Sequence, residues 1–164
     1  MSSMLIRERP FLTNPEHFHG LSPLFAKILA RRGVESAQQL ELKLKYLLAP
    51  NLKGLDQAIA MIDNAIDQQQ KIVIVGDYDA DGATSTAMMM LALGEMGADV
   101  EYLVPDRFKY GYGLTPAIAD LVFVTYTPDL LITVDNGISS HAGVEQAQAH
   151  GMQVIITDHH LTTK

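Results

Sequence analysis

From Lys71 onward, short aliphatic and β-branched runs alternate with helical stretches, and that alternation restricts the fold more than any other feature of the chain. Ile72–Val75, Val100–Val104, Leu130–Val134 and Val154–Thr157 read as strands. Between them, an Ala-, Met- and Leu-rich segment over about 83–97 and a second over about 139–150 read as helices. Thr115-Pro116, an N-cap followed by a proline at the first helical position, opens another. Strands joined through helices make right-handed crossovers, so the expected class is α/β: a parallel sheet with helices on both faces. Hydrophobic residues make up 48% of the 164, enough to fill such a core.

The residues before Lys71 read as a small helical segment. Ser22-Pro23 is a start signal, Leu21, Leu24, Phe25, Ile28 and Leu29 recur at helical spacing, and Gly33 stops the run. Ser36 to Gln39 has the form of a capping box opening a short helix through Leu40 and Leu44. A helix over about 56–69 carries Ala58, Ile59, Ile62, Ala65 and Ile66 on one face. The expected division is a helical segment over 1–54 and an α/β domain over 55–164.

In an open parallel sheet, sites form beyond the carboxyl ends of the strands. Three of the four strands run into acids there. The first gives Asp77-Tyr-Asp79-Ala-Asp81-Gly82, the third Asp135-Asn-Gly137, and the fourth Asp158-His159-His160. If these strands are neighbours, their carboxylates and imidazoles converge, and such crowded charge is ordinarily relieved by cations. Oxygen ligands with one or two imidazoles suit Mn²⁺ or Mg²⁺ better than zinc or copper. Two such cations together can activate a water and neutralise a phosphate.

The same residues admit blander readings. Asp-x-Asp-x-Asp-Gly opens an EF-hand loop, but that loop needs a Glu where Met88 stands and follows a helix rather than a strand. Asp79-Ala-Asp81-Gly82 also resembles phosphatases that form an aspartyl-phosphate, which carry Thr or Val where this chain has Ala83. Asp135 alone reads as a helix cap, and the Asp-His-His run shifts it toward a ligand. Asn136-Gly137 reads as turn chemistry. His17, His19, His141 and His150 read as surface or helix-end residues, and Met88 to Met90 as core filling. The loop Pro105 to Gly113 brings together Arg107, Lys109, Tyr110 and Tyr112: bases stack on such tyrosines while cations hold phosphates, and an ordinary polar connection fits as well.

Charge sharpens the site. The first 50 residues hold seven basic and four acidic residues, the remainder five and fifteen, for a net charge of −7. Five of those fifteen acids are Asp77, Asp79, Asp81, Asp135 and Asp158. Taken alone, the net charge argues against nucleic acid, but two divalent cations would offset about four of the negative charges. The chain has no cysteine, which excludes disulfides and thiolate chemistry and fits a cytoplasmic protein. No apolar run is long enough for a membrane span.

The motifs Val75 to Thr86, Tyr112-Gly-Leu114, Thr133 to His141 and Thr157-Asp-His-His160 together resemble the DHH phosphoesterase superfamily. Within it they are most similar to the bacterial single-stranded-DNA-specific exonucleases. The resemblance covers almost the whole chain, helical opening and Leu103 to Phe108 loop included. It implies a 5′→3′ exonuclease that needs Mn²⁺ or Mg²⁺, two ions in the complete enzyme, and releases mononucleotides from single-stranded DNA. It implies work in DNA repair and recombination, in the cytoplasm, alongside a helicase and a single-strand-binding protein, with no membrane partner. Carried over by position, Asp79, Asp81, Asp135 and His159 are metal ligands, Asp135 the bridge, and Asp77 completes the first motif. Asp158 is implied at the metal site too, orienting the His pair. His160 faces the metal or the scissile phosphate. With His160, the loop residues Arg107, Lys109 and Tyr112 make the substrate-binding set. Members with a His two residues before the first Asp gain a further ligand; here that position is Val75.

Members continue past Asp-His-His to a fourth acidic motif and a domain that closes a DNA-binding cleft, so this sequence is expected to be an amino-terminal piece, weakly active or inactive alone. A phosphoesterase of small nucleotides and a non-catalytic remnant that binds metal or a partner are the competing classes.

Overall fold

The computed structural model describes residues 7–47, 49 and 51–161. It divides into two compact units, Met1–Asn51 and Leu52–Lys164.

The first unit is built on α1 (Pro23–Arg31), capped by Ser22, whose Oγ accepts from the Phe25 N–H at 3.3 Å. Phe18, Ala26, Leu29 and Ala30 form its small core, with Val34 and Leu40 against it. The expected apolar stripe therefore faces inward only at Leu29, while Leu24 is 71% exposed and Phe25 and Ile28 are also open. The small Ala26 and Ala30 face let the preceding segment come close: Leu12 and Thr13 donate their backbone N–H to the Ala30 carbonyl. The capping box at Ser36 does not form. Ala37–Leu40 is one 3₁₀ turn, Leu44–Tyr46 a separate one, and the Gln39 side chain instead accepts from the Glu35 N–H at 2.7 Å.

The second unit runs α2 (Leu55–Asp67), β1 (Lys71–Val75), α3 (Ala80–Glu95), β2 (Asp99–Leu103), α4 (Arg107–Tyr110), α5 (Pro116–Tyr126), β3 (Leu130–Val134), α6 (His141–Ala149) and β4 (Gln153–Thr157). The four strands form one parallel sheet in the order β2-β1-β3-β4, with Ile72 paired to Val100 on one side and to Leu130 on the other. Alternation along the strands sorts two cores. Ile72, Ile74, Leu130, Ile132 and Ile155 pack against α2 and α3, and Val73, Val75 and Leu131 against α5 and α6. The α/β class with helices on both faces is as expected.

α3 begins at Ala80, earlier than the expected start near residue 83, because Asp79 acts as its N-cap. Met89 and Met90 fill the core as expected, whereas Met88 faces outward. A short helical turn, α4, lies inside the expected polar loop. His150 does more than close a helix: its ring stacks on Phe123 at 4.2 Å and Nε2 lies 2.7 Å from Asp120, latching α6 to α5. β1 is followed in sequence by β2 on one side and flanked by β3 on the other, so the direction of winding reverses between β1 and β3. That reversal opens the crevice where such sheets place their sites.

Candidate metal centre

The three acidic segments meet at that crevice, because β1, β3 and β4 are adjacent and end together. At the end of β1, Asp77 is buried, and its Oδ1 accepts from the Tyr78 N–H at 2.6 Å and from Arg107 Nη2 at 2.5 Å. Asp79 accepts from the Gly82 N–H at 3.1 Å, which, ahead of Asp81, Asp135 and Arg107, holds its carboxyl below the usual range. Gly82 is required here, since a Cβ would lie 2.6 Å from the Asp77 carbonyl oxygen. Asp81 follows in the first turn of α3, exposed.

Asp135 is the centre of the arrangement. It stands just past β3 with φ +64°, a left-handed conformation that a non-glycine residue adopts at a cost. It is 8% exposed, and neither of its carboxylate oxygens has a hydrogen-bond partner among the described residues. His159 Nε2 lies 2.9 Å from Asp135 Oδ1 without hydrogen-bond alignment, and 3.6 Å from Asp81 Oδ2. Burial pushes the Asp135 carboxyl up, the charges of Asp81 and Asp79 push it further, and His159 offsets part of this.

Two groups of ligand atoms, each within 4.8 Å, share Asp135: one with Asp77 and Asp79, the other with His159 and His160. A buried carboxylate without an aligned hydrogen bond, held in a strained backbone among like charges with one imidazole beside it, is costly unless a cation joins it. Oxygens with imidazole on one side match the donor preference of Mn²⁺ and Mg²⁺, so the residues fit the group that the motifs imply.

Beneath Asp135, Asn136 is 2% exposed and donates from Nδ2 to the carbonyls of Val75 at 3.0 Å and Val134 at 2.9 Å. It pins the ends of β1 and β3 to each other, and so sets how far apart Asp77 and Asp135 stand. Sequence reasoning takes it only as turn chemistry; its one signal is an amide directly after a strand-end acid.

Asp158 does not reach for the cluster. Its side chain is 2% exposed, Oδ2 accepts from the Ile138 N–H at 2.9 Å, and Oδ1 accepts from the His160 N–H at 3.0 Å. The same Oδ1 lies 2.7 Å from His160 Nδ1. Burial works to raise its pKa, but the N–H groups of His160 and Ile138 and the His160 ring outweigh it, and the carboxyl ends below its usual range. In turn the hydrogen bond with Asp158 raises His160. Tyr112 adds its hydroxyl 3.2 Å from His160 Nδ1, and its own pKa is pushed up, by burial first and then by the nearby carboxylates.

Asp77, Asp79, Arg107, Tyr112, Asp158 and His160 line one open cleft of about 560 Å³. The structure thus gathers all the expected residues around this crevice save Lys109. The Lys109 ammonium instead lies over the Tyr110 ring, 4.9 Å from its centroid, outside the cleft lining.

Residues 71–164 match the family described as DHH family, N-terminal domain. The chain is 49% identical over 143 residues to the single-stranded-DNA-specific exonuclease RecJ of Escherichia coli (strain K12), covering 86% of this chain and 25% of that protein. It superposes on a crystal structure of exonuclease RecJ bound to manganese with a TM-score of 0.65 at 40% identity, over 72% of this chain and 30% of that one. For RecJ of Thermus thermophilus in complex with Mn²⁺ the TM-score is 0.63 at 35% identity, over 87% of this chain and 20% of that one. The chain spans about a quarter of the length of such curated relatives.

Proposed function

Because the chain belongs to the DHH family, we propose that it is the amino-terminal part of a metal-dependent 5′→3′ exonuclease that hydrolyses phosphodiester bonds in single-stranded DNA. The observation that carries this reading is Asp135: a buried carboxylate with no hydrogen-bond partner among the described residues, shared by two ligand groups at the sheet's reversal point. The names of the similar proteins, which are single-stranded-DNA-specific exonucleases, supply the substrate.

Asp79, Asp81, Asp135 and His159 would hold Mn²⁺ or Mg²⁺, with Asp77 beside them. When bound, such cations supply an activated water and neutralise phosphate charge. The remaining work falls to the chain's own groups. Arg107, held at the rim by Asp77, offers a guanidinium to a phosphate. Asp158 fixes His160 through Nδ1, which leaves Nε2 as the ring nitrogen available to the substrate. Tyr112 braces the same imidazole. Asp158 is thus a positioning residue. Within this reading the protein works in DNA repair and recombination in the cytoplasm, after a helicase has opened the duplex and beside single-strand-binding protein. Among the described residues no helix is long and apolar enough to cross a membrane.

The test is a nuclease assay on 5′-labelled single-stranded DNA with Mn²⁺, paired with calorimetric Mn²⁺ titration. Cleavage abolished by Asp79→Ala or Asp135→Ala supports the reading. Mn²⁺ binding without any cleavage, both here and when the chain is joined to the remainder of a relative, overturns it in favour of a non-catalytic binder.

A further inference from the structure

We infer that Phe108 is a platform on which an unpaired base stacks, on the loop that sends Arg107 to the metal centre. The inference rests on the reading of the site as one for single-stranded DNA.

The loop that carries it is an ordered turn. Asp106 caps α4, accepting from the Phe108 N–H at 2.9 Å on Oδ1, and from Lys109 and Tyr110 on its carbonyl at 3.0 and 2.9 Å. The Gly111 N–H closes the turn on the Arg107 carbonyl at 3.1 Å. Successive helical residues point about 100° apart, so Arg107 and Tyr110 share one side and Phe108 and Lys109 the other. Arg107 reaches Asp77, and Tyr110 packs on the core shared with α5 and α6. Both tyrosines that composition singled out are therefore committed: Tyr110 to the core and to Lys109, Tyr112 to His160 and, under the Arg107 guanidinium at 5.6 Å, to Arg107.

Phe108 is left 94% exposed, the most open aromatic among the described residues. A phenyl ring held out on a fully bonded turn, next to a cation that reaches the metal site, has the parts of a single-strand contact. The ring offers its face to a base, and Arg107 offers charge to a neighbouring phosphate. Phenylalanine has no polar group with which to read base identity, so the contact is sequence-tolerant. It also demands an unpaired base, because a base within a duplex is already stacked on both faces. This gives the site a preference for single strands without any contact that measures duplex width.

The chain has no tryptophan, so Phe108→Trp introduces a single tryptophan, excited selectively over the six tyrosines, at the proposed contact. The variant is titrated at low salt, with Mn²⁺, with nuclease-resistant phosphorothioate oligothymidylate and with an abasic strand of equal length and charge. Anisotropy of the fluorescein-labelled strands measures binding independently. Oligothymidylate is expected to quench the introduced tryptophan, and the abasic strand to bind without quenching. Phe108→Ala should weaken oligothymidylate binding about tenfold, leave the abasic strand unaffected, and leave the circular dichroism unchanged. Binding without quenching, or undiminished affinity in Phe108→Ala, overturns the role of Phe108 alone. Absence of binding to either strand overturns the nucleic-acid reading, and this inference with it.

Discussion

Replacing Asn136 by alanine tests whether the spacing of the two central aspartates is set by a single buried amide. Its Nδ2 serves two carbonyls, at 3.0 and 2.9 Å, at a position 2% exposed. Leaving a buried acceptor without its donor costs roughly 1–3 kcal/mol, so two of them cost about 2–6 kcal/mol. Against that, Asn136 Oδ1 is itself buried without a partner, and its removal returns about 1–3 kcal/mol. The expected net loss is about 1–3 kcal/mol, a sizeable share of the roughly 5–15 kcal/mol that holds a domain together. At roughly 2–4 °C per kcal/mol for a chain of this size, Tm should fall by about 2–12 °C. Urea denaturation followed by circular dichroism gives the loss directly, with an unchanged slope if the unfolded state is unaffected. Mn²⁺ affinity, measured well below the transition, should fall too, because β1 and β3 then separate at their ends. A loss below about 0.5 kcal/mol together with unaltered Mn²⁺ affinity would refute the reasoning, since that is the range of an indifferent surface change.

Other perturbations separate the roles of neighbouring residues. Asp158 has a lowered pKa when folded, so the stability it contributes is complete above the unfolded carboxylate range and disappears as pH falls through the folded value. Asp158→Asn should therefore be less stable than wild type near neutrality and converge with it in acid; a constant difference across the acid limb of urea titrations would contradict this. Gly82→Ala puts a Cβ 2.6 Å from the Asp77 carbonyl oxygen, so α3 must shift at a cost of about 1–3 kcal/mol, and calorimetry should show weakened Mn²⁺ binding. Arg107→Gln releases Asp77 from its ion pair. Mn²⁺ titration and oligonucleotide anisotropy should then move in opposite directions, metal affinity holding or rising while DNA affinity falls.

The centre of the sheet was legible because β1 and β3 are continuous aliphatic runs that end in acids, a pattern that suits a parallel sheet covered on both faces. The site was legible because strand ends in such a sheet must converge, and the acids stand there in sequence. Asp79 was harder: it is at once an N-cap and a candidate ligand, and the cap draws the start of α3 back to Ala80. Asn136 was illegible because its partners, Val75 and Val134, belong to two different strands, and only the pairing of β1 with β3 brings them within reach. The facing of the 105–113 loop failed for a related reason. Composition supplies aromatic and basic residues, but the turn of α4 decides that Tyr110 goes inward and Phe108 outward. In the first unit, Ala26 and Ala30 displaced the larger Leu24 and Phe25 from the core because close backbone approach favours small side chains, and periodicity does not weigh size.

Calorimetric titration of Mn²⁺ into the chain and into Asp135→Asn asks whether the strand-end cluster is a metal centre. The substitution preserves shape, removes a charge that is costly to bury and repelled by Asp81 and Asp79, and so leaves the fold intact or steadier by circular dichroism. Saturable Mn²⁺ binding to the wild type and its loss in the folded variant is the predicted result. Equal binding by both proteins would contradict it and place any bound metal elsewhere.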